Sequence, residues 1–140
     1  MVSMEKKLIL QNNVSEINKL VLFLEELGEE FGLPADLVFN LNLVLEEAVS
    51  NVILYAYPTD EKHDIFLSVK KTEDKLIFIL TDSGKEFDPT QMPDADISLS
   101  AEERPIGGLG IYLIRQIMNT VEYQRINGKN ILTLSKNLNR

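Results

Sequence analysis

The sequence predicts an α+β fold, a two-layer sandwich in which helices cover one face of a mainly antiparallel, mixed sheet. Apolar patterns with strand and helix periods follow one another in the order strand, helix, helix, two strands, loop, helix, two strands. The chain of 140 residues, 44% of them hydrophobic, is long enough for one buried core and short for two domains. We therefore expect a single domain over residues 1–140.

The N-terminal part is expected to form one strand and two helices. A strand-like run at 6–11 precedes a helix over 15–31, in which apolar residues recur at helical spacing. Gly32 ends that helix, and Pro34 suits the first turn of a second helix over 35–55. Apolar residues surround most of this second helix, so we expect it to be largely buried. Its narrow polar seam consists of Asn42, Glu46, Glu47, Ser50 and Asn51.

Two β-rich runs and a long loop follow. Residues 65–70 and 75–81 are rich in β-forming residues and flank a turn-forming segment, which predicts an antiparallel hairpin. From Lys85 to Arg104 several prolines and aspartates interrupt any period, so we expect a loop with at most one short helical turn. Loops of this length inside compact domains are typical of lids and binding loops.

A glycine-rich run opens the last helix, and a hairpin ends the pattern. Gly107-Gly108-Leu109-Gly110 precedes a helix expected over 111–119. Two strands over 121–126 and 131–136 flank Asn127-Gly128, a pair that favours the positive φ angles of a two-residue turn. The last two strands should therefore form a second antiparallel hairpin.

Charge and composition narrow the range of partners. Fourteen Lys and Arg residues against 22 Asp and Glu residues give a net charge of -8, which argues against a basic footprint for nucleic acid or an anionic membrane. Cysteine is absent, which excludes disulfides, thiol catalysis and cysteine-ligated metal. No apolar run reaches the roughly eighteen residues of a membrane span, and no signal-peptide core is recognised. We expect a cytoplasmic protein whose partners are proteins or small molecules.

Glu47 and Asn51 are the first candidates for chemistry. They lie four residues apart on the second helix and therefore point the same way. A carboxylate oxygen and an amide oxygen are hard ligands that suit Mg²⁺, so both side chains could bind one ion. Alternatively, the acid transfers a proton while the amide binds the metal. The alternative is a solvated helix face. The apolar surroundings favour a cavity, because an unpaired buried acid is costly.

Two glycine-containing segments supply further candidates. Asp82 ends a buried strand, where its carboxylate could accept a hydrogen bond from the amino group of a purine. Gly84 would let the purine ring approach the backbone. The alternative there is a plain turn. The run 107–110 could offer unpaired N–H groups to phosphate, or it is a simple glycine-rich helix entry. P-loop and Rossmann motifs are excluded, because no Lys-Ser or Lys-Thr follows the run and no strand precedes it.

In this order the three features resemble the gyrase, histidine-kinase and mismatch-repair ATPase superfamily. More closely, the chain is similar to the anti-sigma factor serine kinases of bacteria, over roughly residues 8–136. Three such motifs in this order within one domain are far more specific evidence for a family than any one motif alone. The matching segments are Glu47-Ala48-Val49-Ser50-Asn51, Tyr55-Ala56-Tyr57-Pro58, Asp82-Ser83-Gly84-Lys85-Glu86-Phe87-Asp88-Pro89 and Arg104-Pro105-Ile106-Gly107-Gly108-Leu109-Gly110-Ile111.

The resemblance implies a Bergerat-type ATP-binding fold and a role for each matched residue. Asn51 would coordinate the Mg²⁺ that bridges the phosphates of ATP, and Glu47 would be the general base for the acceptor hydroxyl. Glu46 competes for that role but lies five residues from Asn51. Asp82 would bind the adenine amino group, with Gly84 beneath the ring. Residues implied to contact the phosphates are Arg104, Gly108, Leu109 and Gly110.

The resemblance also implies an ATP lid over residues 87–107, and two positions depart from the family pattern. Tyr55 stands where many relatives carry a basic or histidine side chain. Asn130 stands near where they often have a threonine that reaches the phosphates. The pattern therefore assigns neither side chain a contact.

The function implied is that of a cytoplasmic ATP-dependent protein serine/threonine kinase that binds a sigma factor and phosphorylates a small anti-sigma factor antagonist. The relatives also suggest a homodimer. Two other classes stay open: a nucleotide-binding module that sequesters a protein without transferring phosphate, and a sensor-kinase fragment. The absence of a helical dimerisation segment carrying a histidine argues against the fragment. The plainest alternative is an α+β domain without a ligand.

Overall fold

The computed structural model of the protein describes residues 4–57, 61–91 and 108–138. Five strands, three α-helices and two 3₁₀ turns lie in these ranges. The strands are β1 (Met4–Gln11), β2 (Asp64–Lys71), β3 (Lys75–Asp82), β4 (Thr120–Ile126) and β5 (Lys129–Asn137). The helices are α1 (Ile17–Phe31), α2 (Ala35–Tyr55) and α3 (Gly108–Ile117), and the 3₁₀ turns span Val14–Glu16 and Pro89–Gln91.

The five strands form one sheet in the order β1-β2-β3-β5-β4, and every neighbouring pair is antiparallel. Because β4 lies at the edge, the β4–β5 hairpin folds back and places β5 beside β3. The start of β5 therefore adjoins the end of β3, with Asp82 directly opposite Asn130. The predicted α+β class and both predicted hairpins are confirmed, whereas the sheet over the described residues is entirely antiparallel and not mixed.

One face of the sheet packs on the helices, and the other faces outward. Alternate strand residues point to the helices, as the period of two dictates, and Leu67, Phe78 and Leu134 are almost fully buried there. Helix α2 packs against both α1 and α3. Its buried residues are Leu41, Val44, Leu45, Ala48, Val49, Asn51 and Val52. By length and composition alone α2 could cross a membrane, but these contacts make it the core helix of the fold.

Most ends of these elements follow the turn signals in the sequence. Helix α2 spans the predicted residues, and α1 ends at Gly32, whose φ of 66° lies in the left-handed region. The turn between β4 and β5 has positive φ angles at Asn127 (51°) and Gly128 (77°), as predicted for this pair. The first helix was expected to begin at residue 15, but the 3₁₀ turn precedes it and α1 begins at Ile17. Asn13 caps this turn, because its side chain accepts a hydrogen bond from the N–H of Ser15.

The bounds predicted for the last helix, 111–119, are wrong at both ends. Helix α3 already begins at Gly108, inside the glycine run. The sequence pattern did not show this start, because glycine has a low helix propensity, which packing overrides here. It ends at Ile117, since the N–H of Asn119 donates to the carbonyl of Ser135 at 2.8 Å. The chain thus passes directly from α3 into β4.

Candidate functional site

Buried polar side chains mark a small cavity between α2 and the sheet. Asn51, Asp82 and Asn130 are 4%, 2% and 5% exposed, and all three line this cavity. Its volume is about 20 Å³, which is room for about one water molecule. The other lining residues are Ala48, Val52, Leu80, Phe87, Pro89, Tyr123 and Leu132. The interior therefore contains a polar site with an apolar wall.

Asn51 brings an unused hydrogen-bond donor to this cavity. Within the described ranges, its Nδ2 is one of two buried side-chain nitrogen or oxygen atoms without a hydrogen-bond partner; the other is Oδ1 of Asn42. Leaving a buried amide unpaired costs about 1–3 kcal/mol. Such groups are rare in folded proteins and call for an explanation. A bound ligand at Asn51 supplies one.

Glu47 lies one helical turn before Asn51 and is half-buried. Burial raises the pKa of its carboxyl above the ordinary value, and the charge of neighbouring Glu46 raises it further. A carboxylate with a raised pKa accepts a proton more readily, which is a property that a general base needs. The spacing thus places a proton acceptor and an amide on the same side of α2.

Asp82 ends β3, and its buried side chain lines the cavity. Its Oδ1 accepts hydrogen bonds from the N–H of Gly84 at 2.8 Å and from Nδ2 of Asn130 at 2.9 Å. Burial raises the pKa of Asp82, against these two hydrogen bonds and the charge of Arg125. Oδ2 accepts no hydrogen bond from the residues that the structure describes. That oxygen is available to a donor such as an amino group.

Gly84 is buried against the C-terminal end of α2. A Cβ atom at this position would lie 2.3 Å from the carbonyl oxygen of Ala56 and 2.8 Å from its Cβ. The N–H of Lys85 donates to the same carbonyl at 2.8 Å. The turn after β3 therefore requires glycine for packing, and its hydrogen bond to Asp82 is ordinary turn chemistry. These contacts support the plain-turn interpretation of Asp82-Ser83-Gly84, and the contact of Gly84 with a purine ring stays a prediction.

The phosphate-contacting residues expected from the sequence lie only partly within the described ranges. Gly108, Leu109 and Gly110 form the first turn of α3, which packs against α2. Arg104 and most of the expected lid over 87–107 lie outside the described ranges. The beginning of the expected lid is anchored, because Arg115 donates to the carbonyl of Thr90 at 2.5 Å.

Sequence reasoning missed the role of Asn130 and assigned none to Tyr55. Asn130 contacts the Asp82 carboxylate from β5, and its two partners on β4 are Tyr123 and Arg125. The Tyr55 ring stacks on Phe87, with centroids 5.2 Å apart. The strand alternation of β5 places Asn130 on the helix-facing side, but its partner depends on the pairing of β3 with β5, which no local pattern reveals.

A comparison with known families agrees with the fold. The profile described as "Histidine kinase-like ATPase domain" matches residues 10–136. The chain belongs to the histidine kinase-like ATPase family. The family's matched region includes all of the residues around the cavity, and the resemblance inferred from the sequence is confirmed.

Individual relatives of this histidine kinase-like ATPase are named protein kinases. The serine/threonine-protein kinase BtrW of Bordetella bronchiseptica is 33% identical over 101 residues, which cover 72% of this chain and 71% of that protein. The serine-protein kinase RsbW of Halalkalibacterium halodurans is 30% identical, over 81% of this chain and 71% of its own. RsbW of Bacillus subtilis is 28% identical, over 84% and 76%.

The residues at the cavity fit a nucleotide that carries its own magnesium ion. No group of three or more His, Cys, Asp or Glu side chains that could hold a metal is found within the described ranges. Mg²⁺ in phosphate-transfer sites typically keeps waters and binds substrate phosphates with few protein ligands. One amide at Asn51 is consistent with that arrangement. The cavity itself, at about 20 Å³, is too small for a purine base.

Proposed function

We propose that this chain is an ATP-dependent protein serine/threonine kinase that binds a sigma factor and phosphorylates an anti-sigma factor antagonist. The observation that carries this is the cavity lined by Asn51, whose Nδ2 has no hydrogen-bond partner, and by the buried carboxylate of Asp82. The names of the relatives as serine-protein kinases support the same activity. We infer a cytoplasmic protein, because its targets are transcription regulators.

The residues divide into those that bind ATP and one that handles a proton. Asp82 Oδ2 accepts a hydrogen bond from the amino group of the base, and Gly84 packs below the ring. Asn51 holds the metal and the phosphates together with the first turn of α3 at Gly108, Leu109 and Gly110 and with Arg104. When bound, Mg²⁺ neutralises charge that develops on the phosphates. Most catalysis in phosphoryl transfer is such positioning and charge stabilisation.

Glu47 is the proposed general base. The hydroxyl oxygen of the acceptor serine or threonine bonds to the γ-phosphorus, while the bond from that phosphorus to the oxygen of ADP breaks. The hydroxyl proton passes to the Glu47 carboxylate, and ADP leaves with the electron pair of the broken bond. The raised pKa of Glu47 makes its carboxylate a better proton acceptor than an ordinary surface glutamate.

The test of this function is transfer of labelled phosphate. The full chain is incubated with Mg²⁺, ATP labelled at the γ-phosphate and a small antagonist domain encoded nearby. We expect the label on a serine or threonine of that domain. ATP binding without transfer would instead indicate a module that sequesters its partner by contact alone.

A homodimer is proposed to form through the outward face of the sheet. Ile9 and Phe66 are directly opposed across β1 and β2 and are 55% and 46% exposed. A shallow groove beside them also includes Ile79 and Thr81. Exposed apolar residues grouped on one sheet face are typical of an association surface. This face of the sheet points away from the helices, whereas the cavity lies between the sheet and α2.

Phe66→Glu is expected to convert the dimer to a monomer, because it places a charge directly opposite the exposed Ile9 on that face. The molar mass in solution, measured by sedimentation equilibrium, should fall to the value of one chain. Phe39→Glu is the matched control, since Phe39 is 63% exposed but lies on α2. A monomeric wild-type protein, or a dimer that survives Phe66→Glu, would contradict this interface.

A further inference from the structure

The side chain of Asn130 is held in one orientation by hydrogen bonds on both of its ends. Both Nδ2 protons are used, one to Oδ1 of Asp82 and one to the carbonyl of Lys85, each at 2.9 Å. Turning the amide over would bring its oxygen against a carboxylate and a carbonyl. The nitrogen of Asn130 must therefore face Asp82.

The other end of the amide strengthens this orientation. Oδ1 of Asn130 accepts from the Tyr123 hydroxyl at 2.5 Å, from Nη1 of Arg125 at 3.0 Å and from the N–H of Phe87 at 3.2 Å. The same Nη1 donates to the carbonyl of Gly84 at 2.8 Å. Asn130 and Arg125 thus fasten the segment from Gly84 to Phe87 to the β4–β5 hairpin.

These bonds also fix the orientation of the Asp82 carboxylate. Oδ1 receives two donors, the N–H of Gly84 and Nδ2 of Asn130, which fill the usual acceptor capacity of one carboxylate oxygen. Rotation of the carboxylate would break both bonds. Oδ2 is the remaining acceptor of this carboxylate; burial raises the pKa of Asp82, while its two donors and the Arg125 guanidinium oppose that rise.

We propose that Asn130 is the positioning residue for base recognition, holding the Asp82 carboxylate so that its second oxygen faces the base as a hydrogen-bond acceptor. This inference rests on the proposed function, because it requires a nucleotide base at Asp82. A 6-amino purine donates a hydrogen bond to that oxygen. A 6-oxo purine presents a carbonyl to it and is rejected by repulsion between two acceptors.

Removal of the Asn130 amide should relax this choice. The Asp82 carboxylate loses a donor, so it can rotate, and its already raised pKa rises further. A protonated Asp82 can donate to the carbonyl of a 6-oxo purine. The charged group that faces Asp82 from β4 is Arg125, and the hydroxyls near it belong to Tyr123 on β4 and Tyr57 after α2. None of these replaces the amide of Asn130 as a second donor to Oδ1.

The test compares Mg-ATP with Mg-inosine triphosphate, which differs from it only in the purine ring around position 6. Calorimetric dissociation constants are measured for the wild type, for Asn130→Ala and for the control Ser135→Ala. The control removes the partly buried hydrogen bond between Ser135 and Thr120 from the same hairpin without touching Asp82. We expect the wild type to prefer ATP at least about tenfold, as one hydrogen bond to a charged group allows.

In Asn130→Ala this preference should fall below about threefold, and the acidic limb of ATP binding should move to higher pH, because the pKa of Asp82 rises. Ser135→Ala should keep the wild-type preference. Arg125→Met serves as a second variant that retains the fold, since Arg125 lies at the surface, and it should reduce the preference by a smaller factor.

The outcomes separate this inference from the proposed function. An unchanged preference for ATP in Asn130→Ala overturns the positioning role and leaves the nucleotide site intact. If Asn130→Ala does not fold, an unchanged preference in Arg125→Met overturns it instead. A wild-type chain that binds neither nucleotide overturns the proposed function, and the positioning role with it.

Discussion

Replacing Glu47 with Gln is expected to lower the rate of phosphate transfer by about 10²- to 10⁴-fold, the usual contribution of a general base. Glutamine has nearly the same shape but cannot accept the proton of the acceptor hydroxyl. The dissociation constant of Mg-ATP should change little, because Glu47 does not hold the nucleotide in this mechanism. Single-turnover transfer of labelled γ-phosphate measures the first quantity, and calorimetry measures the second.

Glu46→Gln is the matched control for this experiment, since Glu46 is the adjacent carboxylate and the competing base. Its transfer rate at neutral pH should stay near that of the wild type. Because the Glu46 charge raises the pKa of Glu47, its removal lowers that pKa and moves the acidic limb of the rate to lower pH. Loss of activity in Glu46→Gln with full activity in Glu47→Gln would reverse the assignment.

Asn51→Leu is expected to stabilise the fold and abolish binding of Mg-ATP. The amide is buried with an unpaired nitrogen, and exchange for an apolar side chain of similar size removes a cost of about 1–3 kcal/mol. The midpoint of thermal unfolding should therefore rise by several degrees. The same exchange removes the proposed ligand of the metal and the phosphates, so that calorimetric titration with Mg-ATP should be flat.

Asn42→Leu provides the comparison that separates the two effects. Asn42 lies on the same helix and also has a buried side-chain atom without a partner, but it does not line the cavity. This variant should gain stability and still bind Mg-ATP. A destabilised Asn51→Leu would contradict an energetic cost of the unpaired amide, and wild-type affinity for ATP in this variant would contradict a ligand at Asn51.

Local signals in the sequence were sufficient for most of the fold. Gly32 and Pro34 fixed the junction of the first two helices, and Asn127-Gly128 fixed the last hairpin, because each of these residues favours one backbone geometry. The start of α3 could not be found in this way. Glycines at 108 and 110 disfavour a helix when considered alone, so only the packing of α3 on α2 explains where it begins.

The residues of the candidate site also fall into two groups, those that local sequence signals predict and one that only the strand pairing brings to the site. Glu47 and Asn51 share one helix, and their relation follows from its period. Asp82 and Gly84 share one turn. Asn130 belongs to the site only because β5 inserts beside β3, and a contact between residues 48 positions apart depends on strand order and register. The tertiary arrangement therefore added the residue that holds Asp82, which the motifs alone did not identify.

Calorimetric titration of the wild type and of Asp82→Asn with Mg-ATP tests the proposed pocket most directly. Because Gly84 and Asn130 both donate to Oδ1, the amide oxygen of Asn at position 82 must stay there, and its NH₂ group then faces the amino group of the base. We expect saturable binding by the wild type and binding at least about tenfold weaker in the variant. A flat titration of the wild type, or equal affinities of the two proteins, would contradict a nucleotide site at Asp82.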